Sequence, residues 1–209
     1  MSSCYSGVIF DLDGTLYSMK NLNIRMAIRQ FFKLRILHAS RKTLKNLSGS
    51  SFDSREAFFK EYYGMTAANL KMSVSEIEQW EKGFYKNFTD LLHRDYCPRP
   101  GLEAMIRNLN VPCAVLSDYD RVDDRLRALG IDPELFVCRI YSGDAGGLKP
   151  SVNVFRYTAE CMGIEPSKIL VAGDKIEKDG KGAEEAGMDF FLINEKSWPL
   201  FPMKFSGDI

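Results

Sequence analysis

The sequence predicts an α/β protein: a doubly wound, Rossmann-like parallel sheet interrupted by an all-helical insertion. Three observations carry that prediction. Short apolar runs recur along the chain and barely alternate apolar with polar, as strands buried on both faces of a parallel sheet require. After Tyr96 these runs alternate with stretches of helical periodicity. Between about Tyr17 and Tyr96 no convincing strand is found, only helical periodicity. The chain therefore divides into a core, residues 1–16 and 97–209, and a helical domain, residues 17–96, inserted behind the first strand.

Taken in order, the first strand is GVIFD, ending on Asp11. In the insertion, Ile24, Ala27, Ile28, Phe31 and Leu34 share one helical face and are expected in the core. Ser73 and Glu76 form a candidate capping box ahead of Ile77, Trp80, Phe84, Phe88 and Leu91. The core resumes with the helix PGLEAMIRNLN and the strand VPCAVLSD, then RVDDRLRALG and FVCRIYSGD. The next helix, PSVNVFRYTAECMG, has Pro150 at a first helical position and Gly163 at its stop. KILVAGD, the glycine-terminated GKGAEEAGM and DFFLIN complete the alternation. The tail after Asn194, with Trp198 and two prolines, is expected to lie over the domain rather than extend the sheet.

Composition narrows the class. A chain of 209 residues supports one sizeable core, with or without a satellite domain. Lys plus Arg and Asp plus Glu both total 28, so charge balance offers no sign of a nucleic-acid partner. Cys4, Cys97, Cys113, Cys138 and Cys161 are odd in number, widely spaced and contain no CxxC pair. Disulfide scaffolding and zinc ribbons are disfavoured; the cysteines read as buried fillers in a reducing cytosol. His38 and His93 read as surface residues. MSSCYSGVIF lacks the charged start and long apolar core of a signal peptide, and no apolar run reaches the ~20 residues of a membrane span. The expectation is a cytoplasmic protein without a membrane or nucleic-acid partner; oligomeric state is not legible.

The chemistry collects at strand ends. Asp11 and Asp13, two apart in extended chain, point the same way. Ligands bind at the carboxyl ends of strands in open α/β sheets. Further strand ends supply Ser117, then Lys149 through SGDAGGLKP, and Asp174 with Asp179 through GDKIEKD. Crowded carboxylates repel and raise one another's pKa. A divalent cation relieves this, and Mg²⁺ takes one or two carboxylates together with water and phosphate oxygens. The hydroxyl and the ammonium suit a tetrahedral anion. Together these parts describe a phosphoryl-transfer site with an aspartate as nucleophile. Singly, each motif is as well read as a turn, loop or helix cap; their order and placement decide for a catalytic site.

DLDGT, the strand-terminal serine, the lysine before proline and the GDxxxxD run resemble the four motifs of the haloacid dehalogenase superfamily, with the insertion where members carry a cap. The resemblance implies a Mg²⁺-dependent phosphatase of a small phosphomonoester. It makes Asp11 the nucleophile and Asp13 the general acid and base. Ser117, with Asp118 beside it, and Lys149 hold phosphate. Asp11, Asp174 and the Asp13 carbonyl bind the metal, and Asp179 supports them. The acid at Asp13 separates phosphatases from dehalogenases of this family. Asp118 and Lys175 stand where asparagine or glycine, and a smaller hydroxyl residue, are common. A sugar phosphomutase on the same core and a non-hydrolytic phosphoacceptor module are the alternatives.

The insertion also carries a basic run. No acid lies between Asp13 and Asp53, while Lys20, Arg25, Arg29, Lys33, Arg35, Arg41, Lys42 and Lys45 do. Arg25, Arg29 and Lys33 at i, i+4, i+8 are expected along one helix face, with mild mutual repulsion. Acids later in the insertion are one counterweight. The other is a substrate with a second anionic group, read by Arg25 and Arg29.

Overall fold

The computed structural model describes residues 5–206. Cys4 lies outside them. The five apolar runs are the five strands: β1 (Gly7–Phe10), β2 (Cys113–Ser117), β3 (Cys138–Tyr141), β4 (Ile169–Gly173) and β5 (Asp189–Leu192). All pairings are parallel, in the order β3-β2-β1-β4-β5. The first strand is thus central, and β1, β2 and β4 are buried along their whole length. That double burial is why their sequences do not alternate.

Four helices follow β1: α1 (Leu22–Arg29), α2 (Leu34–Leu47), α3 (Arg55–Leu70) and α4 (Val74–Asp95). The Ser73–Glu76 capping box forms as expected, and Ile77, Trp80, Phe84, Phe88 and Leu91 are all buried. These helices share one hydrophobic cluster with a face of the sheet, Phe84 and Phe88 belonging with Phe10 and Val115. The core helices are α5 (Leu102–Asn108), α6 (Val122–Ala128), α7 (Val152–Met162) and α8 (Lys181–Glu185). Gly163 stops α7 in the left-handed region at φ 67°. Pro150 lies before the Ser151 cap of α7 rather than at its first turn. The tail folds back: Phe201 is fully buried, with its ring edge-on to Phe10 at 5.4 Å, and Trp198 donates to the Pro100 carbonyl.

Three expectations are corrected. The helix expected through Leu34 breaks at Gln30, whose side chain turns inward to accept from Trp80 Nε1 at 3.3 Å. Arg25, Arg29 and Lys33 therefore do not lie along one continuous helix. Leu22 and Met26 take the core face of α1, leaving Ile24, Ile28, Phe31 and Leu34 exposed. Cys138 and Cys161 form a disulfide between β3 and α7, their Cα atoms 6.4 Å apart, and Cys97 is exposed; only Cys113 is a free buried filler among the described residues.

Candidate active site

The site begins where β1 stops. The Asp11 N–H continues the β1–β4 pairing to the Ala172 carbonyl at 2.9 Å, which fixes the carboxylate at the rim of the sheet. Asp11 and Asp13 are both buried. Gly14 follows at φ 97°, and a Cβ there would strike the Asp174 carboxylate. Glycine thus lets two motifs from distant parts of the chain touch. Gly173 does the same for Asp179, whose side chain occupies the space of a Cβ. Arg99 pins the loop from outside, Nε to the Thr15 carbonyl at 2.7 Å and Nη2 to that of Gly14 at 2.8 Å.

Lys149 is the hub. Its buried ammonium donates to Asp11 Oδ1 and Asp179 Oδ1, both at 2.6 Å. Thr15 Oγ1 donates to the other Asp11 oxygen at 2.9 Å. Burial works against the Lys149 charge, but Asp11, Asp179 and Asp118 outweigh it and hold the group protonated well above its ordinary range. Burial, against the pull of Lys149 and with the Asp179 and Asp13 charges, pushes the Asp11 carboxyl up to about 7.

Oxygens of Asp11, Asp174 and Asp179 lie within 4.8 Å of one another, a spacing that fits a hard cation. Asp174 Oδ1 is buried and accepts no hydrogen bond among the described residues, and the Lys175 ammonium stands 3.3 Å from it. Burial raises the Asp174 pKa despite that ammonium. A divalent cation fits this donor set, adding to the charge that Lys149 and Lys175 supply.

Asp13 is caged differently. Tyr17 donates to Oδ1 at 2.6 Å, Ser117 Oγ donates to Oδ2 at 3.1 Å, and the Arg125 guanidinium forms an ion pair with Oδ2. Arg125 is completely buried and also donates to Ser117 Oγ at 3.0 Å and the Tyr119 carbonyl at 2.9 Å. Burial opposes ionisation of Asp13, but Arg125, Tyr17 and Ser117 outweigh it and hold the carboxyl below its usual range. Ser117 thus serves Asp13 in this arrangement. The Asp118 carboxylate takes the Lys149 N–H at 2.9 Å and Lys178 Nζ at 2.7 Å, so it anchors the lysine loop.

The structure brings together Asp11, Asp13, Ser117, Asp118, Lys149, Asp174 and Asp179. It does not bring Arg25 or Arg29 with them. Arg25 pairs with Asp95 at 2.7 Å and lies over the Tyr96 ring. A cleft of about 320 Å³ between α2 and the sheet rim is lined by Arg41, Lys45 and Ser48 with Asp118, Tyr119 and Lys178, and neither Arg25 nor Arg29 lines it. Sequence reasoning also missed Thr15, Tyr17, Arg99 and Arg125. Thr15 stood inside DLDGT. Arg125 carried a signal too: it is the cation on the face of RVDDRLRALG that presents Val122, Leu126 and Leu129, all buried.

The model of the haloacid dehalogenase-like hydrolases matches residues 5–187. The chain belongs to that family. It is 27% identical to a glyceraldehyde 3-phosphate phosphatase of Methanocaldococcus jannaschii over 87% of this chain and 82% of that one. It is 25% identical to a phosphoglycolate phosphatase of Neisseria meningitidis, over 86% of this chain and 76% of that one. The fold matches the putative HAD-hydrolase YfnB of Bacillus subtilis, crystallised with magnesium, at a TM-score of 0.62 with 20% identity, covering 91% and 89% of the two chains. A 2-haloacid dehalogenase of Pseudomonas syringae matches equally in fold, TM-score 0.62 and 18% identity over 92% and 87%.

Proposed function

We propose that this hydrolase is a Mg²⁺-dependent phosphatase of a small phosphorylated metabolite, working through an aspartyl phosphate on Asp11. The supporting observation is the lysine bridge. One buried ammonium joins Asp11 to Asp179, while the buried Asp174 oxygen beside them accepts no hydrogen bond. Asp11 attacks phosphorus and the ester oxygen departs; water then cleaves the acyl phosphate, releasing inorganic phosphate and restoring Asp11. Lys149 stabilises the charge that develops on the phosphoryl oxygens. Ser117 is the second phosphate ligand once its hydroxyl turns from Asp13, with the backbone at Asp118 beside it. Asp11, Asp174 and the Asp13 carbonyl would hold a magnesium ion, with Asp179 supporting them, and the ion would supply further positive charge to the phosphoryl oxygens. Arg125 keeps Asp13 ionised at rest. Once that ion pair opens, Asp13 takes up a proton from solvent and gives it to the leaving ester oxygen. The carboxylate so restored takes a proton from the attacking water.

Residues 17–96 act as a cap over the core. Relatives named for phosphoglycolate and glyceraldehyde 3-phosphate handle small phosphate esters. A second anionic group on the substrate would meet Arg41 and Lys45 in the cleft, in place of Arg25 and Arg29. The test is incubation with p-nitrophenyl phosphate and MgCl₂, beside Asp11→Asn. Sustained phosphate release, lowered on the order of 10⁴-fold by the substitution, is expected. Undiminished turnover in Asp11→Asn overturns the nucleophile; isomerised hexose phosphate or a single labelling event overturns hydrolysis in favour of a mutase or a phosphoacceptor module.

A further inference from the structure

The stretch from α1 to the start of α2 buries Leu22 and Met26 but leaves most of its large apolar side chains exposed. Ile24, Ile28 and Phe31 are 63%, 69% and 65% exposed, and Phe32 is 98% exposed. The two phenylalanine rings stand edge to face at 5.4 Å, forming a protruding aromatic tip. Isolated exposed apolar residues need no explanation, but a contiguous group does. The flanking charges are of one sign. Among the described residues, Arg29, Lys33 and Arg35 enter no salt bridge, and no acid occurs in the chain between Asp13 and Asp53. Next to the tip, a cavity of about 480 Å³ is lined by Leu34, Arg35, His38, Lys42 and Asn69, again without an acid.

We infer that this face docks the protein onto an anionic lipid surface, with Phe31 and Phe32 inserted among the acyl chains and Arg29, Lys33, Arg35 and Lys42 on the headgroup phosphates. An apolar tip ringed by cations is the pattern of segments that lie in a membrane interface. Each cation near an anionic leaflet adds attraction that decays within a Debye length. A second copy of the chain is the weaker occupant, because a two-fold contact would set this basic face against itself. The absence of a spanning helix among the described residues concerns crossing a bilayer, not resting on one. The inference stands independently of the reaction at Asp11.

The experiment is co-sedimentation of the full chain with vesicles of phosphatidylcholine alone or mixed with phosphatidylglycerol. Association with the anionic vesicles only, weakened by added salt, is expected. The double variant Phe31→Ser/Phe32→Ser should bind them at least about tenfold less well. Lys33→Glu/Arg35→Glu should abolish binding, with thermal melting unchanged in both variants. No sedimentation of the parent, or binding indifferent to salt and to Phe31 and Phe32, overturns the proposal. So does a concentration-dependent dimer that Phe32→Ser dissolves, which assigns the face to a second copy. Binding to soluble polyglutamate without binding to vesicles assigns it to an acidic protein and equally overturns it.

Discussion

The rim of the sheet and the first helices of the insertion are near opposites. At the rim, charged groups are matched: the buried pairs Asp11 to Lys149 and Asp13 to Arg125, and the part-buried Asp118 to Lys178. In α1 and the turn after it, apolar groups are exposed, and among the described residues Arg29 and Lys33 enter no salt bridge. Each arrangement is unfavourable by itself. Burying charge costs several kcal/mol per ion unless pairing offsets it, and exposed aromatic surface gains nothing from water. The rim repays its cost within the molecule. The exposed face has no such internal compensation, which points outward.

The sharpest way to break the comparison is to remove a rim partner. Arg125→Met leaves Asp13 buried with only neutral donors, and should cost about 3–5 kcal/mol in chemical denaturation at neutral pH. The sign of its pH dependence follows from Asp13. Folding depresses its pKa, so its contribution is present above the ordinary value of 3.8 and is lost as pH falls through the folded value. In the variant the uncompensated acid protonates readily. The stability gap to the parent should therefore narrow as pH falls. A gap that stays constant or widens would show that Arg125 acts by packing on Phe88, whose ring it faces at 4.9 Å.

A smaller effect tests the metal side of the rim. With its carboxyl pushed up to about 7, Asp11 must lose a proton before it can serve a cation. Apparent Mg²⁺ affinity, measured by titration calorimetry, should fall about tenfold per pH unit below that value and level off above it. A flat profile from pH 5.5 to 8 would place the cation away from Asp11.

The rim was legible because its residues sit at fixed offsets from strand ends. A strand dictates where its last carboxylate points, so Asp11, Lys149, Asp174 and Asp179 could be gathered from order alone. Of the partners of Asp13, Ser117 was legible at its strand end, but Tyr17 and Arg125 were not. Tyr17 reaches it from four residues further along the same loop, and Arg125 from a helix 112 residues away that only packing brings there. The insertion misled for another reason. Its apolar residues satisfy two faces at once, Leu22 and Met26 on one and Ile24 and Ile28 on the other, and periodicity does not say which face turns inward. Gln30, which ends α1 by turning in to Trp80, carried no local signal for a break. Nor did spacing announce the Cys138–Cys161 pair, whose two elements meet only because α7 returns along β3.

The smallest effect sharpens the comparison most. Phe32→Ser removes a large apolar side chain, yet at 98% exposure that side chain buries almost nothing on folding. Its loss should change stability by no more than about 0.5 kcal/mol, whereas truncating the fully buried Phe10 should cost about 3–5 kcal/mol. If Phe32→Ser instead destabilises the chain in dilute solution by more than about 1 kcal/mol, the ring is covered there, by a second copy or by a rearranged turn. The exposed face would then be a core surface like any other, and its contrast with the rim would disappear.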